Sequence, residues 1–184
     1  MATPSKEEKV LKLFLEYSPL REWHFEEVVG EARVTKAVAN KWLKKYVKEG
    51  VLKKIKEKGK FPYFTVGHNN PKYYSLKRIY ALEQLHKSGL ISQFLSLKNV
   101  RTVIIFGSFI KGDWYKDSDI DVFIYGNPDD FDKTRYELSI GKHIELHIFE
   151  NKEEMMQVKT GLINNIINGY IITGQIQDLI RAAS

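Results

Sequence analysis

The stretch GSFIKGDWYKDSDIDVFIYG, residues 107–126, decides the fold. It follows RTVIIF (101–106), a β-branched apolar run that reads as a strand feeding into Gly107-Ser108. Ten residues after Ser108, Asp119-Ile120-Asp121 opens a second apolar run, VFIY. In a strand, residues two apart point the same way, so Asp119 and Asp121 project from one face while Ile120 turns to the core. A third strand, KHIELHIFE (142–150), alternates in the same manner. Ile144, Leu146 and Ile148 lie on one face, and His143, Glu145, His147 and Phe149 on the other.

Two unit charges about 4 Å apart repel by roughly 4 kcal/mol at an effective dielectric near 20. If Glu145 faces the two aspartates from a neighbouring strand, three carboxylates converge, and a cation is needed to keep them charged. Oxygen ligands in a chain without cysteine favour Mg2+ or Mn2+ over zinc. The expectation is a divalent-metal site whose ions bridge a nucleotide's phosphates. Gly107, just after a strand, lets backbone N–H groups approach a phosphate, and the Ser108 hydroxyl can donate to one. Ser118 is counted with them as nucleotide-binding. Lys111 and Lys116 either add positive charge there or are simply exposed. An EF-hand loop starting at Asp117 fails, because Val122 stands where glycine is needed and Pro128 where glutamate is. A Walker loop fails for want of Gly-Lys-Ser/Thr. His143 and His147 either touch substrate or are satisfied sheet histidines. Trp114 and Tyr115 either stack on a base or pack the loop.

Gly-Ser, ten residues, then Asp-x-Asp resembles the signature of the polymerase-beta-like nucleotidyltransferases. Residues 107–121, GSFIKGDWYKDSDID, look like the minimal nucleotidyltransferase branch. The resemblance covers roughly residues 88–175, with GYIITG (169–174) similar to the short last strand of these domains. It implies that Gly107 and Ser108 bind a triphosphate and that Asp119 and Asp121 hold Mg2+ (or Mn2+). Glu145 takes the third carboxylate position, where Asp is more frequent. It also implies transfer of a nucleoside monophosphate, AMP from ATP or its counterpart from another NTP, to an acceptor hydroxyl. Asp119, Asp121 and Glu145 are then the catalytic and metal residues.

Charge divides the chain. Residues 1–66 hold 15 Lys and Arg against 9 Glu, residues 67–100 hold 5 against 1, and residues 101–184 hold 9 against 13. A basic first half before an acidic second half points to two modules with different partners. SKEEKVLKLFLEY (5–17) puts Val10, Leu11, Phe14 and Leu15 on one helical face, with Ser5 as N-cap and Glu8 three residues on. Pro19 ends that helix, and a second fits 24–32. TKAVANKWLKKYVKEG (35–50) makes a third, with Val38, Trp42, Leu43, Tyr46 and Val47 as its buried stripe. VLKKIKEKGKFPYFTV (51–66) reads as a hairpin with a basic tip. The run ANKWLKKYVKEGVLKKIKEKGK looks like the third helix and wing of a winged helix-turn-helix domain. That resemblance implies DNA contacts from Lys36, Asn40, Lys41, Lys44, Lys45, Lys58 and Lys60. The alternative is lysines solvating an ordinary helix face. No arginine lies in this third helix or wing, so backbone binding is better supported than base readout.

The expected fold class is α+β. A winged helix domain spans residues 1–70 and a linker helix spans 71–87. A nucleotidyltransferase domain with a small mixed sheet flanked by helices spans 88–184. No run reaches the roughly 20 apolar residues of a membrane helix, and MATPSKEEKV lacks a secretory pattern. With no cysteine, a cytoplasmic protein with no membrane partner is expected. The partners are a nucleotide triphosphate, DNA through the first module, and a protein partner or a homodimer mate. The alternative function is a DNA-binding regulator, or an antitoxin-like protein, whose second domain binds nucleotide without turnover.

Overall fold

A computed structural model describes residues 4–177 and divides the chain into two compact units, Met1–Lys77 and Arg78–Ser184. In the first unit, α1 (Lys6–Glu16) begins with a reciprocal cap. The Glu8 N–H donates to Ser5 Oγ at 3.1 Å, and the Ser5 N–H donates to Glu8 Oε2 at 2.6 Å. Its buried residues are Val10, Leu13, Phe14 and Leu15. Leu13 takes the place expected of Leu11, because positions 10, 13 and 14 are the i, i+3, i+4 neighbours on a helix. A two-residue strand, β1 (Trp23–His24), then precedes α2 (Phe25–Ala32). Trp23 is buried, against Phe14 at 5.9 Å and Tyr17 at 5.3 Å between ring centroids.

Thr35 caps α3 (Lys36–Lys48), accepting from the Val38 N–H at 3.4 Å. The buried line of α3 is Ala39, Leu43 and Tyr46. Trp42 is only half-buried, because the Lys41 and Lys45 ammoniums lie over its ring at 4.8 and 4.9 Å. The expected stripe was therefore rotated by part of a turn. An aromatic ring partnered by two cations is stable at a helix flank. β2 (Leu52–Ile55) and β3 (Tyr63–Val66) form an antiparallel hairpin, and β1 adds to the far side of β3. The sheet order is β1-β3-β2.

The helix α4 (Pro71–Lys87) contributes residues to both units. In the second unit, α5 (Leu90–Ser96) leads into β4 (Val100–Phe106), α6 (Gly107–Lys111) and β5 (Ile120–Gly126). After these come α7 (Lys133–Ile140), β6 (Ile144–Phe149), α8 (Lys152–Met156), α9 (Thr160–Ile167) and β7 (Tyr170–Thr173). The strands form one mixed sheet in the order β6-β5-β4-β7. β4 pairs antiparallel with β5 and β7, and β5 pairs parallel with β6. β4 and β5 read as continuous apolar runs because both of their faces are buried. On one face, Ile104, Phe106, Phe123 and Tyr125 pack with Met155 of α8 and Ile166 of α9.

The segment after β4, expected as a loop, begins as the short helix α6 and ends on Gly112 in the left-handed region (φ 88°). Trp114 follows and is fully buried between Tyr80 and Phe109, at 5.7 and 5.5 Å between ring centroids. Its role is packing. Trp114→Ala is expected to destabilise this unit by about 3–5 kcal/mol, the scale of truncating a buried aromatic. Urea denaturation followed by circular dichroism measures it. A loss below about 1 kcal/mol would show that this indole is not part of the core.

Candidate active site

Strand register builds the site. Phe106 at the end of β4 pairs with Asp121 of β5, and Asp121 pairs in turn with Glu145 of β6. Glu145 and His147 are two apart on β6, so they share the face that carries Asp121. One ligating atom from each of Asp121, Glu145 and His147 lies within 4.8 Å of the others. His147 Nε2 stands 3.7 Å from Glu145 Oε1, and the His147 ring lies tilted against Phe106 at 5.2 Å. This is the one group of three or more such side chains, among the described residues, that could hold a metal ion.

Gly107 makes room for the cluster. Its φ is 76°, a conformation that side-chain-bearing residues rarely adopt, and a Cβ there would overlap the Asp121 carboxylate. Asp121 therefore packs directly on the backbone where β4 turns into α6. Burial pushes its carboxyl above the usual carboxylate range, and the neighbouring Glu145 pushes the same way. Asp119 adds to that push, while the His147 side chain opposes it. A partly buried acid crowded by like charge is a donor set suited to a divalent cation.

Asp119 is exposed, immediately before β5, and lies outside the three-residue group. Ser108 sits in α6, where its carbonyl accepts from the N–H groups of Gly112 and Asp113 at 3.0 and 3.1 Å. The Ser118 hydroxyl accepts from the Tyr115 N–H at 2.8 Å and so closes the turn ahead of Asp119. Tyr115 is exposed. His143, considered beside His147, instead meets Glu137 Oε1 at 2.7 Å through Nδ1.

Lys142 was not singled out in the sequence. Its ammonium donates to the carbonyls of Tyr115, Lys116 and Ser118 at 2.8, 2.7 and 3.3 Å. It also lies over the rings of Phe109 and Trp114. It staples the turn that carries Asp119 to the start of β6. The only sequence signal was its position directly before the third strand.

In the first unit, Lys36 is paired with Glu26 at 2.6 Å, Lys45 with Glu7 at 2.8 Å, and Lys60 with Glu57 at 2.6 Å. Glu57 also accepts from the Tyr63 hydroxyl, which pushes that phenol up to about 12. Lys41, Lys44 and Lys58 are exposed. Asn40 is exposed and lines a cavity of about 550 Å3 with Lys54, Phe61, Pro62 and Phe64.

Because the Asp121 carboxyl is raised by folding, its ionisation destabilises the metal-free fold above the ordinary pKa of 3.8. The penalty is absent below that value, where the acid is neutral folded or unfolded. It grows as pH rises through the higher folded pKa and is complete above it. At pH 7 without divalent ions, Asp121→Asn is expected to be the more stable protein, with the higher Tm. Its advantage should vanish below pH 3.8. Calorimetry at both pH values checks this, and a variant less stable than the parent at pH 7 would overturn it.

Among known families, the model described as "Polymerase beta, Nucleotidyltransferase" matches residues 90–176, just under half of the chain. No curated protein and no solved structure matches it. Among the described residues, no helix is long and apolar enough to cross a membrane. The matched residues take in β4, the Gly107 turn, β5 and β6, the elements that assemble Asp121, Glu145 and His147. Residues 90–176 are a polymerase beta nucleotidyltransferase domain.

Proposed function

We propose that the chain is a divalent-metal-dependent nucleotidyltransferase that moves AMP from ATP to an acceptor hydroxyl. The observation that carries this reading is the Asp121–Glu145 pair beside Gly107, inside the matched domain. Crowded carboxylates, one of them partly buried, at one end of a sheet suit a cation that arrives with its triphosphate. Asp121 and Glu145 would hold the cation, Mg2+ or Mn2+, with Asp119 reaching in from the preceding turn. The bound cation supplies charge neutralisation and a lowered pKa for the acceptor hydroxyl. Gly107 lets the triphosphate approach the backbone, and Ser108 offers a hydroxyl to a phosphate oxygen. Ser118, already holding Tyr115, keeps its own O–H as a donor. The acceptor oxygen attacks the α-phosphorus in line, the bond to the bridging oxygen breaks, and pyrophosphate leaves with that electron pair. Glu145 would serve as ligand or as the base that takes the acceptor's proton. Fixed positioning and electrostatics carry most of the acceleration.

The test is incubation with α-labelled ATP, Mg2+ or Mn2+, and cell lysate, followed by identification of the labelled product. Asp121→Asn is expected to lower transfer by at least about 100-fold, the scale of losing a group that stabilises transition-state charge. Transfer by that variant at the parental rate would remove Asp121 from the mechanism.

A second reading concerns the first unit. Its three helices, with β1 added to a basic hairpin in the order β1-β3-β2, support a winged helix that binds DNA. Lys41, Lys44 and Lys58 are among its exposed cations, with Asn40 nearby on α3. Lys36, Lys45 and Lys60 sit in exposed ion pairs worth only about 0–1 kcal/mol, so phosphate can displace the glutamates. Gel-shift titration with duplex DNA from about 50 to 200 mM salt is expected to show binding that weakens by orders of magnitude. No shift at the lowest salt would eliminate DNA as a partner.

A further inference from the structure

We infer that His147 supplies an imidazole nitrogen to the divalent cation held by Asp121 and Glu145, and that this mixed donor set selects Mn2+ over Mg2+. The inference rests on the metal reading proposed above and goes beyond it, by naming a third ligand and the ion it favours.

Geometry comes first. Asp121, Glu145 and His147 share one face of two hydrogen-bonded parallel strands, and their ligating atoms lie within 4.8 Å of one another. His147 is the innermost side chain of the pair on β6, with 23% of it exposed against 53% for Glu145. Its Nε2 faces Glu145 Oε1 at 3.7 Å. That is too long for a hydrogen bond and short enough for both atoms to close on one ion, since ligands of such an ion sit roughly 3 Å apart. The Phe106 ring against the imidazole limits its swing, and Phe106 also ends the strand that delivers Gly107. Asp119 is exposed and outside the group, so it would have to reach in from the preceding turn, whereas His147 already stands among the clustered ligands.

Chemistry then chooses the ion. Mg2+ is a hard cation that prefers six oxygens in a strict octahedron and gives up water reluctantly. Mn2+ accepts the same carboxylates but binds imidazole more readily. Carboxylates joined by one imidazole are a poorer set for Mg2+ than carboxylates alone, and a workable one for Mn2+.

The experiment uses the whole chain, freed of metal, with Mn2+ and Mg2+ as the probes. Free Mn2+ is followed by its EPR signal, Mg2+ is measured by competition, and pulsed EPR of the bound Mn2+ reads a directly coordinated nitrogen. The expected result is Mn2+ binding at least about 10-fold tighter than Mg2+, with a nitrogen modulation. His147→Gln, shown folded by circular dichroism, should lose the modulation and about 10-fold in Mn2+ affinity while Mg2+ affinity changes less than about 3-fold. His143→Gln, altered at the histidine paired with Glu137, should keep both. Mn2+ bound without the nitrogen signal, or an unchanged Mn2+/Mg2+ ratio in His147→Gln, overturns the inference and leaves the metal reading standing. If neither ion binds at millimolar concentration, with or without ATP, both readings are overturned.

Discussion

A carboxylate pressed onto a backbone turn organises the second unit. Asp121 lies against Gly107 in a space that any side chain there would fill, and Glu145 lies beside it across a parallel strand pair. Register holds this row in place. A slip of one residue in β5 or β6 would turn the acids to the other face and send apolar neighbours in their stead. Register is in turn held by the core beneath, where Phe123, Tyr125, Ile104 and Phe106 pack with Met155 and Ile166. Apolar packing thus keeps two like charges together that would otherwise separate. Burial raises the Asp121 carboxyl, and the neighbouring Glu145 pushes it the same way.

The turn that carries Asp119 is built with equal care. Trp114 is buried between two aromatic rings, so the chain beyond α6 is anchored in the core. Lys142 then gathers three carbonyls of the same turn on one ammonium and rests on two of those aromatic rings. Ser118 closes the turn from within. A cation–π contact with three charge-assisted hydrogen bonds is a strong local restraint. Its effect is to bring the second aspartate to the edge of the site on a fixed path.

The first unit handles charge in the opposite way. Its lysines are numerous and mostly exposed, and glutamates pair with several of them singly, Glu7, Glu26 and Glu57 among them. Such pairs are weak and salt-sensitive. Trp42 belongs to the same surface, half-buried with lysines over its ring.

Much of this was legible in the residues alone. Alternation in 142–150 marked β6 and its faces, and the β-branched run 101–106 marked β4. Gly107 and the Asp119–Asp121 spacing marked the site, because period-two geometry and a glycine's missing Cβ are local properties. Ser5 with Glu8 marked the start of α1 for the same reason. Other features depended on partners far away in the chain. β1 is two residues long and exists only because β3 lies beside it, so it has no periodicity to read. Trp42 looked like core until cations were found over its ring, and of the two roles open to Trp114, base stacking or loop packing, its place between two aromatic rings supports packing. The pairing of Asp121 with Glu145, the approach of His147 and the clamp of Lys142 needed the register of strands separated by a helix. Sequence spacing specifies which way a side chain points along its own strand, and only the folded sheet decides what it meets.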